Sequence, residues 1–168
     1  YDMAAKHAET TRKNHLRPDG GSFHVVDYNP ETGAVNERVT HQGYKDDSTW
    51  DRGQAWGIYG FTVAYRETGD RRFLEAAEKL ARYFIQRLTK DYVPYWDFQA
   101  PGIPNAPRDS SAAAIAASGL LELSALAPAK TEKKEFRKAA ESILGSLCSQ
   151  AYLAEGTKLS ILLQHATG

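Results

Sequence analysis

A single cysteine, Cys148, stands in 168 residues. No intrachain disulfide can form, and cysteine-rich zinc sites are excluded. Neither sign of charge is in excess, because Lys+Arg and Asp+Glu both total 21. A general nucleic-acid binder and a polybasic membrane anchor each need a basic surplus, so both readings lose their footing. The longest uncharged apolar stretch, residues 110–121, falls well short of the ~20 residues that span a bilayer. Walker A, GxGxxG, HExxH and GxSxG patterns are all missing. Nucleotide, zinc-protease and serine-hydrolase chemistries therefore lack their usual support.

What remains is a composition of 42% hydrophobic and 25% charged residues, enough for one domain with a core of its own. An internal repeat organises it. Tyr1, Ala4, Ala5 and Ala8 share the pattern aromatic-x-x-Ala-Ala-x-x-apolar with Phe73, Ala76, Ala77 and Leu80, and with Phe136, Ala139, Ala140 and Ile143. The copies start 72 and 63 residues apart. Alanine-rich amphipathic helices can resemble one another by chance, but the surroundings of these copies also agree. Phe73, Leu74, Ala77, Leu80, Ala81, Phe84, Ile85 and Leu88 form one apolar stripe at helical spacing. Phe136, Ala139, Ala140, Ile143, Leu144, Leu147 and Cys148 form another. Residues 52–68 and 109–126, which precede these two, are apolar nearly all round and read as buried helices. Gly57, Gly60 and Gly119 would each cost such helices about 1 kcal/mol, which close helix contact would offset. Gly69-Asp70 reads as the joint of the first helix pair, and Pro128 with Thr131 as the joint of the second.

The expected fold is therefore all-α, built from helical hairpins with an inner and an outer member, as in an α/α toroid or solenoid. The chain is expected to be cut at both ends, since residues 1–15 form an outer-type helix with no inner partner before it. One insertion breaks the helical pattern. Residues 22–28 and 34–40 are strand-like around an Asn29–Gly33 turn, which predicts a β-hairpin. A long loop with four prolines follows at residues 89–108.

Polar residues gather just before both buried helices, at 41–52 and 105–111, with Tyr44, Trp50, Trp56, Tyr59, Tyr95, Trp96 and Phe98 near them. Aromatic faces beside carboxylates, amides and arginine suit a sugar, and helix N-termini suit an anion. Structural alternatives stand beside that reading. Asp47, Ser48 and Asp109 are candidate N-caps, and Asp109 and Ser110 favour capping. Asp46 and Asp47 can be a solvated pair. Trp56 suits core and site equally. Tyr95, Trp96 and Phe98 suit pinning the loop, and His24 on its strand suits a hydrogen-bonded structural role. Arg52 is different, because a charge opening an apolar helix needs a carboxylate, from the protein or from a ligand.

The segments FHVVDYNPETG, THQGYKDDSTWDRGQAWGIYGF, ETGD, VPYWDF and PRDSSAAAIAASGLLEL closely resemble the unsaturated glucuronyl hydrolases, glycoside hydrolase family 88, in order and over nearly the whole chain. The resemblance implies an (α/α)6 barrel, here only in part. It also implies an enzyme that removes a 4,5-unsaturated uronic acid from lyase-generated oligosaccharides by hydrating the C4=C5 bond, with no cofactor and no metal. By the same resemblance, Gln42 and Arg52 would contact the uronate and Trp50 would pack on the sugar. His24 would assist near the reacting end, and Trp56 is a weaker match. The family's acid/base Asp and a second important Asp lie upstream of this chain, and none of Asp46, Asp47, Asp97 or Asp109 matches them. The family continues past a segment like His165–Gly168 into a part that recognises the aglycone. The isolated chain is accordingly expected to be inactive, its barrel completed by further sequence or another chain. The compartment implied is the cytoplasm or periplasm of a bacterium, with no nucleic-acid or membrane partner. Two alternatives remain: an unsaturated rhamnogalacturonyl hydrolase, disfavoured by HQGY and WxRGQAW, and a non-catalytic, carbohydrate-binding helical-repeat fragment.

Overall fold

Helix-breaking and helix-capping residues fall where the chain reverses. The computed structural model describes residues 1–158 and 160–167. The elements are α1 (Asp2–His15), β1 (Val25–Tyr28), β2 (Val35–Val39), α2 (Asp51–Thr68), α3 (Arg71–Gln86), α4 (Ser110–Leu126) and α5 (Lys130–Leu147). Gly69 ends α2 in the left-handed conformation, φ 70°, and its N–H donates to the Tyr65 carbonyl. Asp70 then accepts from the Arg72 amide and caps α3. One dipeptide thus stops a helix and starts its antiparallel partner. The second joint agrees with expectation in part. Asp109 caps α4 through the Ser111 and Ala112 amides, and Pro128 lies between α4 and α5, but the N-cap of α5 is Ala129, which offers no side-chain cap, and Thr131 lies inside the first turn.

Helix α2 packs on α3, α4 on α5, and α2 on α4, so α2 and α4 are the inner pair. The apolar stripe of α3 supplies much of the core: Phe73, Leu74, Ala77, Leu80, Ala81 and Phe84 are buried against it, with Ile85 and Leu88 only partly so. Each large side chain hidden there contributes about 1.5–3 kcal/mol. On α5, Phe136, Ala139, Ala140, Ile143 and Leu147 are buried, whereas Leu144 and Cys148 are exposed. A Cβ on Gly119 would lie 3.0 Å from the Tyr59 backbone, and one on Gly57 would lie 2.9 Å from Leu80. Both glycines therefore serve close packing. Gly60 does not, because nothing lies within 4 Å of its Cβ position.

Two further departures share one cause. Helix α1 repeats the outer-helix pattern but buries no residue. On α2, Trp56 and Tyr59 are exposed at 53% and 37%. The sequence marks an apolar face, but only a neighbour covers it. Helix α1 packs on α2 far less closely than α3 and α4 do.

The inserted hairpin forms as expected, with shorter strands. It is antiparallel, pairs Val25 with Val39, and has an irregularity between Asp27 and Tyr28. Asn29 shapes its turn by accepting from the Glu31 and Thr32 amides. The 89–108 loop is pinned by its aromatics, since Phe98 sets its ring edge-on to Tyr83 and Phe84 at 5.7 and 5.5 Å.

Candidate active site

The hairpin delivers its residues to the start of α2. Trp50, the residue before α2, lies with its ring centroid 4.4 Å from that of His24 on the β1 side. The Arg52 guanidinium carbon sits 5.2 Å from the Trp50 ring. His24, Trp50 and Arg52 thus form one continuous series. Gln42 and Trp50 line a cleft of about 350 Å³ with Trp96, Pro107 and Thr167. His24 and Trp56 line a different cleft, about 290 Å³, between α1 and α2. Trp50, in contact with His24, stands at the boundary between the two.

Arg52 finds its carboxylate inside the protein. Its Nη2 lies 3.2 Å from Asp109 Oδ2 and donates to the Thr167 carbonyl at 2.5 Å. Thr167 Oγ1 donates to the same Asp109 oxygen at 2.8 Å. Asp109 therefore caps α4 and anchors Arg52 at once, which places the N-termini of α2 and α4 side by side, as parallel inner helices require. The Arg52 Nε–H is buried and has no acceptor among the described residues. Gly168, the end of the HxxG-like segment, lies outside the described residues.

Asp51, beside Arg52, is fully buried, and neither carboxylate oxygen makes a hydrogen bond of ordinary geometry among the described residues. Burial, followed by the nearby Asp109 charge, pushes its carboxyl well above the usual range. The adjacent Arg52 offsets this only in part. His24 shifts the other way: burial, then His41 and His15, hold its imidazole below the ordinary value.

The loop carrying Gln42 is built around a carboxylate that the sequence left without a role. Asp97 is fully buried. One oxygen accepts from the Tyr44 amide at 3.0 Å and from Ser48 Oγ at 2.6 Å, and the other accepts from the Gln99 amide at 2.8 Å. Gly43 is required there, because a Cβ would come within 2.6 Å of Thr40 Oγ1 and 3.1 Å of Asp97 Oδ2. Arg17 adds support from the α1 side by donating to the Asp47 carbonyl at 2.6 Å. Asp46 accepts from the Thr40 amide and Asp47 pairs with Lys45, and both aspartates are exposed to solvent. Asp97, Thr40, Arg17 and Thr167 were not singled out as site supports from sequence. Only Asp97, an acid between two aromatics in VPYWDF, carried a local signal.

No family model matches the chain. It is 44% identical over 171 residues to an unsaturated glucuronyl hydrolase of Formosa agariphila, spanning 100% of this chain and 42% of that protein. It is 40% identical over 148 residues to an unsaturated chondroitin disaccharide hydrolase of Streptococcus pneumoniae, covering 88% of this chain and 37% of that protein. Among solved structures it superposes on an unsaturated glucuronyl hydrolase specific for heparin with TM-score 0.94 and 44% identity, over 99% of this chain and 45% of that one. The chain thus spans about two-fifths of the length of these relatives, and its helical hairpins with one inserted β-hairpin correspond to part of an (α/α) helical barrel. Over that part, the chain is homologous to the unsaturated glucuronyl hydrolase family.

Proposed function

We propose that the protein carrying this chain removes the 4,5-unsaturated uronic acid from the non-reducing end of lyase-generated oligosaccharides. The observation that carries this reading is the His24–Trp50–Arg52 series beside Gln42, in a chain homologous to enzymes of that name. In the reaction, a proton adds to C4 and the hydroxyl of water to C5. The C5 hemiketal opens to a ketone, leaving a hydroxyl on C1. The C1 hemiacetal then collapses to an aldehyde and releases the aglycone as an alcohol. No electrons are exchanged with a cofactor at any step.

In this reading Trp50 offers an apolar face to the sugar ring, and Gln42 and Arg52 address the uronate. Asp109 and the Thr167 carbonyl hold one edge of the guanidinium, leaving Nε and Nη1 without partners among the described residues. Trp56 lines the neighbouring cleft with His24 and is the weaker candidate for a ligand contact. The acid that protonates C4 is expected from sequence outside these residues.

The relatives are named for heparin and for chondroitin disaccharide, so the test takes both. Full-length protein is mixed with unsaturated disaccharides from heparin, chondroitin and rhamnogalacturonan lyases, and loss of the ultraviolet absorbance of the conjugated double bond is followed. Turnover of a glucuronyl substrate is expected. Turnover of the rhamnogalacturonan product alone would move the assignment to the neighbouring hydrolase class, and binding without turnover would make this a carbohydrate-binding protein.

A further inference from the structure

We propose that the turn after β2 fixes His24 as a neutral imidazole with its proton on Nε2, making it a hydrogen-bond donor to the sugar and not a carrier of protons. The inference rests on the reading above that places His24 in the sugar site.

Three donors surround one ring nitrogen. Thr40 Oγ1 lies 3.0 Å from His24 Nδ1, the His41 amide 3.2 Å and the Gln42 amide 3.3 Å. Two backbone N–H groups aimed at the same atom require a lone pair there, and a neutral imidazole has a lone pair on only one of its nitrogens. The proton of His24 is therefore on Nε2. Thr40 is oriented to match. Its oxygen accepts from the Gly43 amide at 2.8 Å, and with the two backbone amides fixing a lone pair on Nδ1 its O–H is the donor of the Thr40–His24 pair. Protonating Nδ1 would set a third N–H against two amide dipoles that the turn cannot withdraw.

The charged and titratable groups facing the ring act in the same direction. His41 of the turn lies 6.2 Å away, ring to ring, and His15 faces it from α1. Arg52 of α2 sits over the Trp50 ring that the His24 ring also contacts, and Asp46 of the turn accepts from the Thr40 amide. No carboxylate touches the imidazole among the described residues. Nε2 has no hydrogen-bond partner among them either, and it is not one of the buried unpartnered atoms, so it remains accessible where His24 lines the α1–α2 cleft. A base needs a free lone pair, and that of His24 is occupied. As an acid it would have to become an imidazolate. What remains is donation through Nε2–H to an oxygen of the ligand, which orients the sugar against the Trp50 ring.

The test uses full-length protein with ¹⁵N-labelled imidazoles. Ring proton–nitrogen correlation spectra distinguish the two tautomers and the imidazolium, and the His24 signals are those lost in His24→Gln. The expected pattern is a bare Nδ1 and a protonated Nε2, persisting into the weakly acid range where free histidine titrates. Thr40→Val is expected to raise the imidazolium fraction at a given pH, and Thr40→Ser to restore the original pattern. No change in Thr40→Val would remove Thr40 from the proposal. In turnover, His24→Gln keeps an amide N–H near the Nε2 position and should retain about tenfold more kcat/KM than His24→Asn, whose amide falls near Nδ1. A protonated Nδ1 at neutral pH overturns the lock, and equal losses in the two variants overturn the donor role. If the tautomer is wrong while both variants lose turnover, the site reading stands and this inference falls. If both variants match wild type, His24 leaves the site altogether.

Discussion

Replacing Arg52 by Ala would remove two things at once, and the structure shows how to separate them. The first is the ion pair with Asp109, 3.2 Å apart, in which the carboxylate is fully buried and the Arg52 side chain is 20% exposed. Breaking a buried pair from one side costs about 3–5 kcal/mol, because the remaining charge is left without its counter-ion. Asp109 keeps four other donors: the Ser111 and Ala112 amides, Ser111 Oγ and Thr167 Oγ1. The loss should therefore fall near the lower end, about 3 kcal/mol. The second thing removed is the proposed contact with the uronate, worth about 1.5–3 kcal/mol, or roughly ten- to a hundred-fold in kcat/KM. Adding Asp109→Asn removes the stranded charge and keeps a capping oxygen. The double variant should thus recover most of the stability lost by Arg52→Ala and none of the turnover. Arg52→Lys should recover part of each, since an ammonium lacks the planar fork. Urea unfolding and the absorbance assay on full-length protein read the two quantities separately. Wild-type kcat/KM in the double variant would refute the uronate contact and leave Arg52 with a purely structural role.

Other outcomes follow from the packing. Gly119→Ala should destabilise by about 1–3 kcal/mol because its methyl meets the Tyr59 backbone, while Gly60→Ala should stabilise by up to about 1 kcal/mol, as thermal melts can compare. Asp51, with its carboxyl raised by burial, binds its proton more tightly folded than unfolded. Stability should therefore fall as pH rises above the ordinary aspartate range, by up to about 1.4 kcal/mol per pH unit until the folded-state carboxyl ionises. Urea titrations through the weakly acid range should show that slope flattened in Asp51→Asn, and an unchanged slope would mean another group causes it. Asp97→Ala should cost about 3 kcal/mol or more, since three hydrogen bonds to a buried charge are lost, and should raise KM through Gln42 more than it lowers kcat.

Much of this architecture was legible because its signals are local. The Gly69-Asp70 joint, the stripe from Phe73 to Phe84 and the Asn29–Gly33 turn each depend on residues within a few positions of one another. The need of Arg52 for a carboxylate was also legible, since a charge at the head of an apolar helix is costly alone. That the partner is Asp109 was not, because the pairing exists only once α4 lies parallel to α2. The role of Thr40 was equally hidden, since nothing near it in the chain shows that the His24 ring will lie within reach of its hydroxyl. Helix α1 illustrates the reverse limit. Its sequence matches α3, but burial belongs to the neighbours a helix finds.

The Asp97 carboxylate has a kinetic consequence. It joins the Tyr44–Ser48 loop to the Gln99 backbone, and the Phe98 amide donates to the Thr49 carbonyl beside it. Segments some fifty positions apart in the chain therefore open in a single event. Amide hydrogen exchange should give Tyr44, Phe98 and Gln99 one common opening free energy, and separate values would break the link. A ligand resting on Gln42 and Trp50 would then slow exchange at Phe98, which it never touches, and its departure would be timed by the loosening of both loops together.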